Sequence, residues 1–196
     1  MEYDTIKYYT QEELRQIFRT IEKMKKRHWI RDLTLIRIAY RCALRASECS
    51  LITLGNYNKV KEELFCKRLK GSWSNTIRLD GETSKLLNKY IKLYNITNAD
   101  SVLFRSQEGT PISRKSLDYI MKFYCTAAKI QDKSKHHFHV LKHSAAVHFA
   151  ESGLDIKDIN FLLGHKNINN TMVYFRYTTA QQSQLYKKLE KNNAMV

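Results

Sequence analysis

The stretch HVLKHSAAVHFAESGLDIKDINFLLGHKNINNTMVY, residues 139–174, carries the strongest pattern in this chain. It begins with His139 and Lys142, which are three positions apart and therefore share one face of a helix. A proton acceptor beside a cation suits a site that binds an anion and moves a proton. The LGH motif at 163–165 contains a glycine typical of a helix end, and Tyr174 follows nine positions later. We therefore expect an imidazole and a phenol at one edge of the same site.

The composition indicates a polyanionic partner. The chain has 196 residues, which suits one domain, and its 34 Lys and Arg exceed its 19 Asp and Glu to give a formal net charge of +15. Such an excess favours binding to a nucleic acid, with an anionic membrane surface as the alternative. The sequence has no apolar run long enough to span a bilayer, and its N-terminal segment lacks the apolar run of a signal peptide. We therefore expect a cytoplasmic protein without a membrane partner.

Metal and disulfide chemistry are not expected. The four cysteines are scattered and form no C-x-x-C pair, so reduced thiols are predicted. His139 and His143 are four positions apart, but the glutamate of an H-E-x-x-H zinc motif is absent between them. The sequence therefore predicts no metal site.

The pattern of apolar residues predicts a mainly helical α+β fold. Thr10 and Glu13 form a capping box that begins a helix, and Ser113 is typical of the cap of a later one. Three short runs bounded by turn residues predict the strands of one small antiparallel sheet. These runs are residues 57–60, 64–69 and 76–79. Because no internal repeat or linker is evident, we expect a single domain over residues 1–196.

Two motifs resemble those of the tyrosine recombinases, the phage integrase family. HVLKH, LGH and the tyrosine nine positions on are similar to the family's box II, and ALRASE at 43–48 is similar to its box I. The boxes occur in the family order, and the resemblance extends from about Thr10 to about Lys188. The sequence of box I is most similar to that of the stand-alone fimbrial-switch recombinases, with small phage integrases as the alternative. The resemblance implies the family's catalytic domain, with one small three-stranded sheet and without an N-terminal core-binding domain.

The resemblance implies site-specific DNA recombination. In this family a tyrosine attacks a DNA phosphodiester, a 3′-phosphotyrosine forms, and the strand is rejoined without a metal or nucleotide cofactor. Tyr174 is the expected nucleophile, because it has the family spacing from LGH and the nearby Tyr177 and Tyr186 do not. The other expected catalytic residues bind the phosphate or move protons. They are Arg45, Lys70, His139, Lys142 and His165.

The residue types suit the roles that the resemblance implies. The guanidinium of Arg45 is expected to donate hydrogen bonds to two phosphoryl oxygens at once, and Glu48, three positions on, is expected to orient it. Lys70, in the hairpin between the second and third strands, is the expected general acid, with Lys67 as the alternative. The proton of such a lysine is tunable, because an arginine and a DNA phosphate lie nearby.

The two histidines and Lys142 complete the expected site. His139 is expected to accept the tyrosine proton or to bond the phosphate, and His165 to bond a non-bridging oxygen. Lys142 stands where the family usually has arginine, so the charge is kept but the bidentate fork is lost. This departure leaves a second function open, a DNA-binding regulator on the same fold with weak or lost cleavage. A basic RNA-binding or membrane-surface module is the third alternative, and it does not explain why both boxes are present.

DNA contacts are expected over the basic surface. Arg114 and Lys115 lie in the first turn of a predicted helix, where cations oppose the helix dipole, and this placement favours a phosphate partner. The predicted DNA-binding residues are Lys67, Arg68, Arg114, Lys115, Lys135 and His137. The resemblance also implies assembly of a tetramer on double-stranded DNA through a C-terminal helix, which we expect at about 178–190. That helix either docks on a neighbouring subunit or packs on its own domain, because its apolar stripe is too short to be stable alone.

Overall fold

The computed structural model describes residues 6–69, 71–175, 186–187 and 190–191. Helices dominate these residues, and one small sheet is inserted between the third and fourth helix. The α-helices are α1 (Gln11–Met24), α2 (Trp29–Arg41), α3 (Ala46–Cys49), α4 (Gly81–Leu93), α5 (Arg114–Ala127), α6 (Val140–Glu151), α7 (Ile156–Leu163) and α8 (Asn169–Met172). The strands are β1 (Tyr57–Asn58), β2 (Glu63–Cys66) and β3 (Asn75–Arg78), and short 3-10 helices cover Leu54–Asn56 and Lys133–Lys135. The predicted mainly helical α+β architecture is confirmed.

Side chains before the first helical residues explain where α1 and α5 begin. The N–H of Glu13 donates to the Thr10 hydroxyl at 3.1 Å, and the Glu13 carboxylate accepts from the Thr10 N–H at 2.7 Å. This capping box satisfies N–H groups that the helix cannot bond internally. At α5 the Ser113 hydroxyl accepts from the Ser116 N–H at 3.0 Å. Both predicted helix starts are confirmed.

The sheet is antiparallel, with the strand order β1-β2-β3. Leu64 of β2 pairs with Tyr57 of β1 and with Ile77 of β3, and all three side chains are buried. β2 ends at Cys66, which is earlier than predicted, because Arg68 turns into the protein interior. The last residues of the predicted strand therefore belong to the connection from β2 to β3, which contains the buried charged side chain of Arg68.

Two hydrophobic clusters hold the elements together. The larger cluster joins α1, α2, α4 and α5 to the sheet, and Ile36 and Tyr90 are among its buried members. The smaller cluster packs the alanine-rich α6 against Ile159 and Leu163 of α7 and against Tyr174. Alanine occupies little volume, so α6 can pack closely against these neighbours. The predicted nucleophile is therefore part of a packed core.

Among the described residues, no helix is long and apolar enough to cross a bilayer. The same residues contain no group of three or more His, Cys, Asp or Glu side chains arranged to hold a metal ion. All four cysteines are buried free thiols.

Candidate active site

Glu48 is a buried carboxylate that organises the box I segment, residues 43–48. It accepts hydrogen bonds from the Arg45 guanidinium at 2.8 Å, the Arg45 N–H at 2.9 Å and the Leu69 N–H at 3.1 Å. Burial acts to raise the pKa of Glu48, but these hydrogen bonds and the neighbouring cations lower it below its usual value. Glu48 is therefore an anion that holds Arg45 at the start of α3. The Arg45 side chain also donates to the Ser72 hydroxyl at 3.2 Å, and 28% of the side chain is exposed to solvent.

Arg68 is a second cation on Glu48, and it is fully buried. Its five N–H donors all have acceptors within the protein at 2.7 to 3.3 Å. These acceptors are the Glu48 carboxylate, the Asn75 side chain and the carbonyls of Cys42, Ala43 and Leu162. Arg68 thus joins the end of α2, the start of β3 and the end of α7. The prediction that Arg68 contacts DNA is wrong, because no N–H donor of its guanidinium is left for a phosphate.

Lys142 projects from α6 into this cationic cluster. Its side chain is buried, and its Nζ donates to the Leu163 carbonyl at 3.3 Å. Burial lowers the pKa of Lys142 to about 7; Arg45 and Arg68 act in the same direction, and Glu48 acts against them. The Lys142 ammonium therefore loses its proton near neutral pH. An arginine at this position would stay charged.

The hydrogen bonds of His165 define which ring nitrogen carries its proton. Its Nδ1 lies 2.9 Å from the Thr171 hydroxyl, and that hydroxyl donates to the Asn160 side-chain oxygen at 2.9 Å. The Asn160 amide nitrogen donates to the His165 carbonyl at 2.8 Å, which fixes the orientation of the amide. Because a hydroxyl has one hydrogen, Nδ1 must donate to Thr171, and Nε2 is left as an acceptor. Burial, followed by the surrounding cations, lowers the pKa of His165 to about 4 and keeps the ring neutral.

Tyr174 is packed in the smaller core cluster beside α6. Only 4% of it is exposed, and its hydroxyl lies 3.1 Å from Nδ1 of His143. Burial raises the pKa of Tyr174 to about 12, and Arg45 acts in the opposite direction. Burial, followed by the charges of His139 and Lys142, lowers the pKa of His143 to about 4. A neutral imidazole at this distance is suited to accept the phenol proton.

His143 was not among the residues predicted for the site, although it is the histidine that contacts Tyr174. The predicted acceptor, His139, is exposed at the start of α6. Its ring stacks on His137 at 5.6 Å and meets the His143 ring edge-on at 5.6 Å. The signal for His143 in the sequence is its position one helical turn after His139 in HVLKH. His139 and Lys142 have different surroundings, because the lysine is buried and the histidine is exposed.

The other predicted DNA contacts divide into exposed and internally bonded residues. The exposed ones are Lys67, Arg114, Lys115 and His137. The ammonium of Lys135 binds both carboxylate oxygens of Glu13, at 2.8 and 2.9 Å, so this lysine connects the 133–135 turn to α1. Lys70, the predicted general acid, lies outside the described residues.

The connection from β2 to β3 is locked to the turn that contains His165. The Trp73 N–H donates to the Gly164 carbonyl at 2.9 Å, and the Lys166 ammonium lies 4.8 Å from the centre of the Trp73 ring. Gly164 has a φ of +67°, and a Cβ at this position would lie 2.5 Å from the Trp73 carbonyl oxygen. Both the conformation and the close approach require glycine. The predicted helix end at Gly164 is confirmed.

Comparison with known proteins identifies the family. The sequence model of the phage integrase family matches residues 7–181, and the chain belongs to this family. The chain is 31% identical over 188 residues to the tyrosine recombinase XerC of Caldanaerobacter subterraneus subsp. tengcongensis. That alignment covers 94% of this chain and 50% of the relative, so the chain spans half the length of this XerC. The family predicted from box I and box II is confirmed.

Two solved structures have the same fold. The crystal structure of XerA recombinase superposes with a TM-score of 0.80 at 17% identity, over 96% of this chain and 65% of that chain. The Tn1549 transposon integrase in complex with transposon right end DNA superposes with a TM-score of 0.78 at 15% identity, over 97% of this chain and 67% of that chain. At these identities the similarity establishes the fold, which is that of a tyrosine recombinase catalytic domain.

Replacing Arg68 with methionine should destabilise the protein strongly. Arg68→Met removes one side of a buried ion pair and leaves its acceptors unbonded, so we expect the free energy of unfolding in urea to fall by about 3–5 kcal/mol. Arg15→Met is the control, because Arg15 makes an exposed ion pair with Glu12 at 3.2 Å. Its expected change is within about 0.5 kcal/mol. If the Arg68 variant also changed by no more than about 0.5 kcal/mol, the buried network would contribute little to stability.

Proposed function

We propose that this chain is the catalytic domain of a site-specific DNA recombinase that cleaves and rejoins DNA through a 3′-phosphotyrosine. The observation that carries the proposal is one electrostatically connected cluster of Arg45, Lys142, His165 and Tyr174, which come from separate segments of the chain. With His143, which contacts Tyr174, the cluster combines a nucleophile, a neutral base and groups that can bind a phosphate, as phosphoryl transfer without a metal requires. Family membership supports the same activity.

The proposed first step is attack of the Tyr174 oxygen on a DNA phosphorus. A bond forms between the phenol oxygen and phosphorus, and the bond from phosphorus to the 5′-oxygen breaks. The phenol proton passes to His143, which lies within hydrogen-bonding distance and is neutral. The leaving 5′-oxygen takes a proton, and Lys70 is the proposed donor. The phosphotyrosine preserves the energy of the broken phosphodiester, so rejoining the strand needs no cofactor.

The proposed phosphate site is made by Arg45, Lys142 and His165. Negative charge develops on the phosphoryl oxygens during attack, and fixed donors in a site shielded from water stabilise it. Arg45 offers a partly exposed side chain whose guanidinium Glu48 holds in place. His165 can donate from Nε2 only after this nitrogen gains a proton, and a bound phosphate anion favours that protonated form.

Access to Tyr174 is proposed to depend on DNA binding. The side chain is 4% exposed, so a DNA phosphate cannot reach its hydroxyl in this conformation of the protein. The surface over Tyr174 must therefore open before attack. The neighbouring α8 has only four residues, and Met172 on it is 42% exposed, so the outer side of this segment lies at the surface.

Double-stranded DNA is the proposed partner, and the basic surface supports this choice. The net charge is +15, and Arg114 and Lys115 are exposed in the first turn of α5. Arg114 is close enough to His139 to lower its pKa, after burial and His137, so this end of α5 adjoins the start of α6. The Tn1549 transposon integrase, which has this fold, was solved in complex with DNA.

Assembly of a tetramer on DNA is proposed from apolar surface on α7 and α8. Phe161 is 60% exposed, and Ile168 and Met172 are also exposed, which leaves large apolar side chains in water. We infer that this surface receives the C-terminal helix of a neighbouring subunit. The helix predicted at about 178–190, with its leucines 185 and 189, lies almost entirely outside the described residues.

Tyr174→Phe should abolish covalent protein–DNA complexes. The test uses a duplex selected from a random-sequence library by binding to this protein, with a nick that traps the covalent product. DNA affinity should hardly change, because one hydroxyl contributes little to an interface dominated by charge. Tyr177→Phe should trap DNA normally. Trapping by the Tyr174 variant would move the nucleophile elsewhere, and no trapping by the unmodified protein would favour the regulator.

His143→Gln should slow cleavage of the same duplex by about 100- to 10,000-fold, the usual contribution of a general base. Glutamine retains hydrogen bonding but does not accept a proton at neutral pH. His148→Gln is the matched control, because His148 lies on the same helix and bonds Tyr40 at 2.8 Å. Unchanged cleavage in the His143 variant would return the role of proton acceptor to His139.

Phe161→Glu should prevent higher-order complexes on DNA that carries two selected sites, while a single site is still bound. A charge on the proposed docking surface opposes burial against an apolar helix. Leu93→Glu is the control, because Leu93 is 64% exposed on α4, outside that surface. The number of subunits on DNA can be measured by sedimentation. Four subunits assembled by the Phe161 variant would rule out this surface as the interface.

A further inference from the structure

Among the described residues, the surroundings of Lys142 contain more cations than the one carboxylate near it can compensate. Arg45 and Glu48 face it from the start of α3, Arg68 from the residues after β2, and His165 from the turn after α7; His143 adjoins it on α6 itself. Glu48 is already bonded to both arginines, at 2.8 and 3.3 Å. A third cation is therefore left without an anion of its own.

Lys142 also has few hydrogen-bond acceptors. The side chain is 7% exposed, and the bond from Nζ to the Leu163 carbonyl is long at 3.3 Å. A buried ammonium needs acceptors for three N–H groups, whereas a neutral amine has two N–H groups and a lone pair. Burial with one long hydrogen bond therefore favours the amine. A phosphate anion would supply both the missing charge and the missing acceptors.

We propose that Lys142 is largely an amine in the free protein above neutral pH and takes up a proton when a DNA phosphate enters the pocket. The proton comes from water or buffer and converts the amine to an ammonium, without formation or cleavage of any other bond. The inference rests on the proposed function, because it assumes that phosphate binds between Arg45, Lys142 and His165. It means that Lys142 contributes one proton to those that this domain takes up when it binds DNA.

The linked groups predict the pH range of the effect. The pKa of Lys142 is about 7 in the free protein, and a bound anion raises it. His165 and His143, with pKa values of about 4, are neutral throughout the range above pH 7, and Tyr174, with a pKa of about 12, keeps its proton. Below about pH 7 Lys142 is already charged, so binding needs no proton. Above that pH, each further unit should weaken DNA binding by up to about tenfold.

The first test measures affinity for the selected duplex, without a nick, between pH 6.5 and 9 at constant ionic strength. We expect the affinity of the unmodified protein to fall by up to about 100-fold between pH 7 and pH 9, relative to Lys142→Arg. Lys157→Arg should follow the unmodified protein, because Lys157 is exposed on α7. Lys142→Met should bind weakly and share the flatter pH dependence of Lys142→Arg, which preserves the test if arginine does not fit. Parallel pH curves for all four proteins would overturn the inference.

A second test counts protons by titration calorimetry at pH 8 in buffers of different ionisation enthalpy. The unmodified protein should take up close to one proton more on binding DNA than either Lys142 variant does. The covalent trapping assay distinguishes a failure of this inference from a failure of the proposed function. Trapping with equal proton uptake in all variants would reject the role of Lys142 alone. Proton uptake that depends on Lys142, without trapping, would reject the recombinase activity and retain the phosphate site.

Discussion

The buried ion pair between Arg68 and Glu48 is the constraint on which the rest of this site depends. A fully buried guanidinium is tolerated only when its charge is paired and its donors are bonded, and Arg68 meets both conditions. Its acceptors come from the end of α2, from α3, from β3 and from the end of α7. One side chain therefore sets the distance between the box I segment and the turn that contains His165. Removing it would leave Glu48 without its second partner and several carbonyls unbonded.

Burial and the concentration of positive charge together change the protonation of the site. Burial is the main cause that lowers the pKa values of Lys142 and His165, and Arg45 and Arg68 lower them further against the effect of Glu48. An arginine at position 142 would keep its charge in the same surroundings, because a guanidinium does not deprotonate in proteins. A lysine at this position can therefore change its charge near neutral pH, where an arginine would stay charged.

Packing and the proposed reaction place competing demands on Tyr174. As part of the alanine-rich cluster it contributes to packing, and burial raises its pKa to about 12. As the proposed nucleophile it needs contact with a phosphate and a partner for its proton. Its hydroxyl lies within hydrogen-bonding distance of His143 inside the core, and we propose that the surface over Tyr174 opens when DNA binds. Burial would then keep the phenol away from phosphates while no substrate is bound.

The sequence by itself determined the family, the helix starts at Thr10 and Ser113, the helix end at Gly164 and the presence of a small antiparallel sheet. These features depend on neighbours within a few positions, such as a cap, a turn residue or the spacing of a motif. Only the tertiary structure decided that Arg68 is internal, that Lys135 binds Glu13 and that His143 is the histidine at Tyr174. Each of these depends on which distant segment supplies an acceptor, and on how much water is excluded there. Local sequence patterns contain neither quantity, so charged residues that look alike in the chain acquire different roles when it folds.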